Sequence, residues 1–160
     1  MKLDIREKKV LITAFKQGNI KYAPNAAIMN ASRIAGIHHL IAAAEYALSR
    51  ERRIAKNLAI EIMIMASAQR EISRAIDIFD PSSADIKALV IVADSWAEIE
   101  NYLSENRILP DDSLIGCGEE VKDVFKITEK ELRSSVSRDS SRAILNAVLT
   151  RMAAFISREE

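Results

Sequence analysis

Cysteine, proline and glycine are scarce in this sequence. Among 160 residues there are four glycines, three prolines and a single cysteine, Cys117. A single cysteine excludes an internal disulfide and is typical of proteins that work in a reducing compartment. The scarcity of glycine and proline argues against long flexible linkers. We therefore expect one folded domain over residues 1–160 and a cytoplasmic location.

The sequence also lacks an excess of charge of either sign. It has 23 lysines and arginines and 23 aspartates and glutamates, so its formal net charge is zero. No global positive field therefore indicates a nucleic-acid binder, and an anionic partner would have to meet a local cluster of cations. The first nine residues are too charged for a signal peptide. The longest apolar run, at 58–68, is too short to cross a bilayer, so we expect no membrane partner.

Recognisable catalytic and metal-binding patterns are missing as well. His38 and His39 are the only histidines, and adjacent side chains on a helix point about 100° apart, so they do not form a chelating pair. We expect one of them to be packed and the other half-exposed. No pattern joins a nucleophile, a base and a group that stabilises charge. The sequence therefore predicts no enzyme, no catalytic residue, no metal site and no cofactor.

Hydrophobic periodicity predicts both strands and helices. Strand-forming runs lie at 10–15, 26–31 and 88–93, and the last is apolar throughout, as in a central strand. The run at 37–49 favours a helix, as does the amphipathic pattern at 139–157. Ser95 with Glu98, and Thr128 with Glu131, are capping boxes that begin two further helices. We predict an α+β fold, a single helix-rich domain with a small central β-sheet.

The most informative segment lies at 54–79, because it is apolar on all sides. Between Leu58 and Ala68 only Glu61 and Ser67 are polar. One side carries Leu58, Ile62 and Met65, and roughly the opposite side carries Ile60, Met63 and Ile64. A helix that covers one side of a core needs only one apolar stripe. Either the domain wraps this helix completely or a second protein covers part of it, and the sequence leaves open which face is the core.

Basic residues precede this apolar helix. Arg50, Arg52, Arg53 and Lys56 lie within seven positions. Such a cluster could contact several phosphates in a way that depends on salt and ignores base sequence. The alternative is a solvated surface that neighbouring acids such as Glu51 neutralise.

Two blocks of residues resemble the PRPK-binding protein family in an archaeal-type form. The first block consists of Asn30-Ala31, His39-Leu40, Ala43-Ala44-Glu45 and Ala47-Leu48. The second consists of Ala55-Lys56-Asn57-Leu58, Glu61-Ile62, Ala66-Ser67, Arg70, Ile72 and Ala75-Ile76. The family usually has glycine where Ala68 stands and glutamine where Glu71 stands. Beyond position 80 only the layout of the elements agrees.

The resemblance implies a non-catalytic role in the KEOPS (EKC) complex, which makes threonylcarbamoyladenosine (t6A) in tRNA. The chemistry there belongs to a synthase subunit and to a Bud-type kinase/ATPase. The family's small regulatory subunit binds the kinase N-lobe through hydrophobic helices and helps recruit tRNA, including its 3′ CCA end. The implied partners are therefore the Bud-type kinase and tRNA, with the synthase as an indirect partner.

The resemblance and the residue pattern together give two sets of candidate site residues. For kinase binding we predict Ile60, Met63, Ile64, Leu145, Leu149 and Met152. For tRNA binding we predict Arg50, Arg52, Arg53, Lys56 and Arg70.

Two other interpretations of the apolar helix compete with this one. The first is a stand-alone small-ligand-binding or enzymatic α+β domain, in which the helix is only core and a pocket gathers polar groups. The second, which we do not favour, is a homo-oligomer that covers the helix with copies of itself.

Overall fold

A four-stranded antiparallel β-sheet organises the chain. The structure, a computed structural model, describes residues 1–135 and 137–159. The strands are β1 (Lys2–Ile5), β2 (Lys8–Phe15), β3 (Ala26–Asn30) and β4 (Lys87–Ala93), in the order β1-β2-β4-β3. The continuously apolar β4 pairs with both β2 and β3, so its predicted central position is confirmed.

Strand β1 is an addition that the sequence did not predict. Its residues are mostly exposed or half-buried, so hydrophobic periodicity gives little signal there. It pairs with β2 through a tight turn whose two central residues, Arg6 and Glu7, have φ angles of 48° and 68°. Such hairpin turns usually carry Asn-Gly or Asp-Gly, because glycine adopts a positive φ without strain. The charged pair Arg6-Glu7 stands where glycine is usual, so the sequence carries no turn signal at this position.

Helices cover both faces of the sheet. They are α1 (Ile37–Ser49), α2 (Leu58–Ser67), α3 (Ile72–Ile78), α4 (Trp96–Glu105), α5 (Val121–Val124), α6 (Glu129–Arg133) and α7 (Ser140–Glu159). Because side chains alternate along a strand, Val10 and Ile12 face a core built with α1, α2, α3, α5 and α7. Leu11 and Phe15 face a smaller core under α4. The predicted α+β fold with a small sheet is confirmed.

The apolar segment at 54–79 forms two helices, α2 and α3, which are separated at Ala68. Asn57 caps the first, since its Oδ1 accepts a hydrogen bond from the Ile60 amide at 2.8 Å. Ala68 ends it in the left-handed conformation, with φ 54° and ψ 38°. This conformation favours glycine, the residue that the resemblance implies at the position of Ala68.

His39 connects several of these elements at the centre of the larger core. The Ala35 amide donates a hydrogen bond to Nδ1 at 3.0 Å, so Nε2 carries the proton and donates to the Ala66 carbonyl at 2.8 Å. The ring also makes edge-to-face contacts with Phe79 and Phe125. His38 is exposed. The expectation of one packed histidine is therefore confirmed, while the other is more exposed than predicted.

Burial of His39 makes the stability of the protein depend on pH. Burial lowers the pKa of the ring from 6.5 to about 4, because charging it would remove a cation from water. As the pH falls, the unfolded chain therefore binds this proton at a higher pH than the folded protein does. The contribution of neutral, buried His39 to stability is fully present above pH 6.5 and is lost as the pH falls through 4, by about 3 kcal/mol in total. Denaturant unfolding of wild type and His39→Gln between pH 7 and pH 4.5 tests this.

We expect His39→Gln to be less stable at pH 7 but to lose the His39 contribution to the pH dependence. His38→Gln is the matched control and should keep the wild-type profile, since His38 is exposed in the folded protein. Identical pH profiles for His39→Gln and wild type would show that burial of His39 does not control the pH dependence in this range.

Candidate partner-binding surfaces

Helix α2 is mostly wrapped by its own domain. It contacts α1, α3, α7 and β3. Ile62, Ile64 and Met65 have no solvent exposure. Ile60 and Met63, one helical turn apart, are only half-buried. The domain therefore covers most of this helix and leaves one narrow apolar stripe partly open.

Helix α7 has a similar division between core and flank. Its core stripe consists of Ile144, Val148, Met152 and Phe155. Leu145 and Leu149 lie beside this stripe and are half-buried. Since α2 and α7 touch each other, both helices contribute half-buried apolar residues next to one shared core.

Two of the six predicted kinase-binding residues belong to the core. Ile64 and Met152 are fully buried, so neither can touch a partner while the domain is folded. Ile64 lies on the covered side of α2, whereas its neighbour Met63 points towards the open stripe. The partly open set is therefore Ile60, Met63, Leu145 and Leu149.

The predicted basic cluster occupies the loop at 50–57, between α1 and α2. Arg52, Arg53 and Lys56 are exposed, and Arg50 is half-buried. The Nε of Arg50 donates a hydrogen bond to the Arg52 carbonyl at 3.3 Å. The structure therefore brings four of the five predicted tRNA-binding residues together on one loop.

The buried carboxylate of Glu61 holds this loop in place. Both of its oxygens accept hydrogen bonds from the Ile54 amide at 3.1 Å, and Oε1 also accepts one from the Ala55 amide at 3.2 Å. Glu61 itself has no solvent exposure. Sequence reasoning missed this role, although a lone acid in an otherwise apolar helix is a signal, because a buried charge requires partners.

Arg70 lies apart from the other predicted tRNA-binding residues. It follows α2, whereas the basic loop precedes it, and a ten-residue helix is about 15 Å long. Its Nη1 pairs with the Glu159 carboxylate at the end of α7. The structure therefore separates Arg70 from the basic loop.

A cavity of about 570 Å³ lies between residues 30–33, 83–86 and 114–120. Glu120 there binds Ser32 and Arg33, and these contacts lower the pKa of its carboxyl. Burial raises the pKa of the Cys117 thiol, so the thiol is protonated at neutral pH. Ser32, Arg33 and Glu120 therefore form one hydrogen-bonded cluster in the wall of this cavity.

Exposed apolar residues also occur on α3, where the sequence analysis placed no site. Ile72 and Ile76 lie one turn apart and are 39% and 40% exposed. The sequence shows both isoleucines, but they do not stand out there because the whole segment 54–79 is apolar. Ile76 therefore offers a matched apolar control for substitutions on α2 and α7.

Two searches of the described ranges, 1–135 and 137–159, concern other classes of site. Within them, no three His, Cys, Asp or Glu side chains are grouped so that they could hold a metal ion. None of the helices in those ranges combines the length and the apolar character needed to cross a bilayer.

We expect Glu61→Gln to loosen the basic loop. Glutamine can keep an acceptor oxygen at the Oε1 position for both amides, but its NH2 group would then replace Oε2 and place one donor against the Ile54 amide. This should cost about 1–3 kcal/mol of folding free energy. Hydrogen exchange at 53–56 should accelerate, whereas Glu45→Gln, an exposed control on α1, should change neither stability nor exchange. Unchanged exchange in Glu61→Gln would contradict the anchoring role.

Comparison with known proteins gives the family of this chain. A family model described as "Kinase binding protein CGI-121" matches residues 3–154. A search of curated proteins found no match. The family match spans β1 from Leu3 onwards, the other three strands, α1 to α6 and most of α7, and it confirms the resemblance to the PRPK-binding family. Since the match covers nearly the whole chain, this protein belongs to the CGI-121 family of kinase binding proteins.

Proposed function

We propose that this protein is a non-catalytic regulatory subunit of the KEOPS complex. In this role it binds the Bud-type kinase/ATPase and helps recruit tRNA, through its 3′ CCA end, for t6A modification. The observation that carries the proposal is the kinase-binding family match over residues 3–154. The synthase subunit is then an indirect partner, and the protein acts in the cytoplasm.

For the kinase we propose the partly open apolar residues of α2 and α7, namely Ile60, Met63, Leu145 and Leu149. The one charged residue of α2, Glu61, is buried, so this helix presents no charge to a partner. Depletion of charge is typical of the centre of a protein interface. Met63 adds a flexible side chain that adapts to the shape of a partner.

For tRNA we propose the basic loop, with Arg52, Arg53 and Lys56 as exposed phosphate contacts and Arg50 behind them. Phosphate contacts position an RNA without reading its bases. Arg70, about 15 Å away along α2, would meet a different phosphate of the same RNA. With a net charge of zero, the isolated protein should bind RNA weakly and gain affinity within the complex.

We expect Met63→Lys and Leu149→Lys each to weaken binding to a Bud-type kinase by about tenfold or more, as for residues at the centre of an interface. The positive charge would be desolvated in the complex. In the free protein the lysine stem can cover the same apolar surface while its ammonium reaches water, so the melting temperature should change little. A pull-down with the purified kinase and a thermal melt measure the two effects.

Two further variants separate this surface from the core and from other apolar patches. Ile64→Lys should unfold the domain, because its side chain is fully buried. Ile76→Lys, on the exposed side of α3, should leave kinase binding intact. If Ile76→Lys abolishes binding while Met63→Lys does not, the kinase contacts α3 instead of the proposed surface.

We expect the double charge reversal Arg52→Glu/Arg53→Glu to weaken tRNA binding to a similar degree for all tRNA sequences. Removing two phosphate contacts should lower the slope of log K against log salt concentration by about 2. The control Arg107→Glu/Lys130→Glu makes the same charge change at exposed positions outside the loop. Equal affinities for the two double variants, measured by filter binding, would exclude the loop as the tRNA site.

A further inference from the structure

A second, smaller cavity lies where the C-terminal ends of α2, α5 and α7 come together beside α3. Its volume is about 260 Å³. Among residues 1–135 and 137–159, four cations and no carboxylate line it: Arg74, Lys126, Arg151 and Arg158. In a chain with equal numbers of acids and bases, this is a local excess of positive charge. The four residues come from distant parts of the sequence, so no local motif reveals them.

One of these cations is neutralised and three are not. The guanidinium of Arg151 binds both oxygens of Glu131, at 2.7 and 2.8 Å. Within residues 1–135 and 137–159, Arg74, Lys126 and Arg158 form no ion pair. Glu159 lies close to Arg158 in the sequence, but its carboxylate pairs with Arg70.

Helix ends offer a competing explanation for this cluster, because the C-terminus of a helix carries a partial negative charge that attracts cations. Each end amounts to about −0.5 of an elementary charge, so three ends give at most about −1.5. Helix α5 has only four residues and contributes less than a full-length helix. The three cations that form no ion pair within the described part of the chain exceed this sum, so the cavity has positive charge available for an anion.

The rest of the cavity suits a phosphate that is attached to a larger group. Ile78, Val124 and Phe125 supply apolar wall, and Gln69 adds an amide. Binding pockets for organic ligands usually combine such walls with a few polar groups, over about 300–1,000 Å³. A volume of about 260 Å³ fits a single nucleotide unit better than a larger ligand. Arginine is the residue best suited to hold a phosphate through two parallel hydrogen bonds.

We propose that this cavity binds the phosphate group of a nucleotide, either free or within an RNA strand. No lining residue belongs to the kinase-binding or tRNA-binding sets described above. The RNA form of the ligand rests on the proposed function, whereas the free nucleotide does not.

Lys126 allows a test that spares the fold. It has a φ of 53°, so Lys126→Gly removes the cation and leaves a residue that favours this backbone conformation. Arg107 has a φ of 54° and lies outside the cavity, so Arg107→Gly makes the same change of charge and backbone freedom elsewhere. The full-length protein would be titrated with AMP and with a single-stranded RNA hexanucleotide, by calorimetry at several salt concentrations.

We expect Lys126→Gly to weaken binding of the ligand by about tenfold, as for loss of a charged hydrogen bond. The salt slope for the RNA should fall by about 1, and Arg107→Gly should behave as wild type. AMP binding identifies a free nucleotide as sufficient, and binding of the hexanucleotide alone identifies an RNA strand as the ligand. Arg74→Gln/Arg158→Gln should reproduce the loss.

The inference is overturned if neither probe binds the wild-type protein, or if Lys126→Gly and Arg107→Gly change binding equally. The cations would then only stabilise the C-terminal ends of the helices. Kinase pull-down with Lys126→Gly should match wild type, because Lys126 lies outside the proposed kinase surface. The loop variant Arg52→Glu/Arg53→Glu separates the two proposals: if RNA binding depends on the loop but not on Lys126, the cavity proposal fails and both parts of the proposed function stand.

Discussion

The buried carboxylate of Glu61 joins the most polar loop of this chain to its most apolar helix. Three backbone hydrogen bonds to Ile54 and Ala55 satisfy a charge that would otherwise be costly to bury. At the other end of the same helix, His39 donates to the Ala66 carbonyl and accepts from Ala35. Apolar contacts are not directional, so α2, with apolar residues on every side, could slide or rotate in the core. The directional bonds of Glu61 and His39 fix its rotation and its axial position.

The rotation of α2 about its axis determines which of its side chains are exposed to a binding partner. It turns Ile64 into the core and leaves Met63, its immediate neighbour, partly open. It also places the cationic loop before α2 and the cationic cavity after it, about 15 Å apart. The apolar stripe lies between them. One helix therefore organises the surface proposed for a protein partner and both of the surfaces proposed for anionic groups.

Hydrophobic periodicity and capping patterns predicted most of the fold. The central strand β4 and helix α1 were found because their apolar patterns are strong and local. The β1 hairpin was missed because its turn carries Arg6 and Glu7 in place of glycine. The open face of α2 could not be chosen from sequence, because both faces are apolar and only tertiary packing distinguishes them. The cations of the smaller cavity escaped notice for a related reason, since Arg74, Lys126 and Arg158 meet only when three helix ends converge.

The anchoring of the basic loop has a consequence for the thermodynamics of binding. Ordering the backbone of a flexible loop costs about 1–2 kcal/mol of conformational entropy per residue. When a disordered segment binds, this cost reduces the free energy of binding. Because Glu61 already holds the backbone at Ile54 and Ala55, part of this loss has occurred on folding. The side chains of Arg52 and Arg53 remain exposed and free to adjust to the spacing of phosphates. The loop thus combines a rigid backbone with mobile charges, an arrangement that lowers the entropic cost of association while tolerating ligands of different shape.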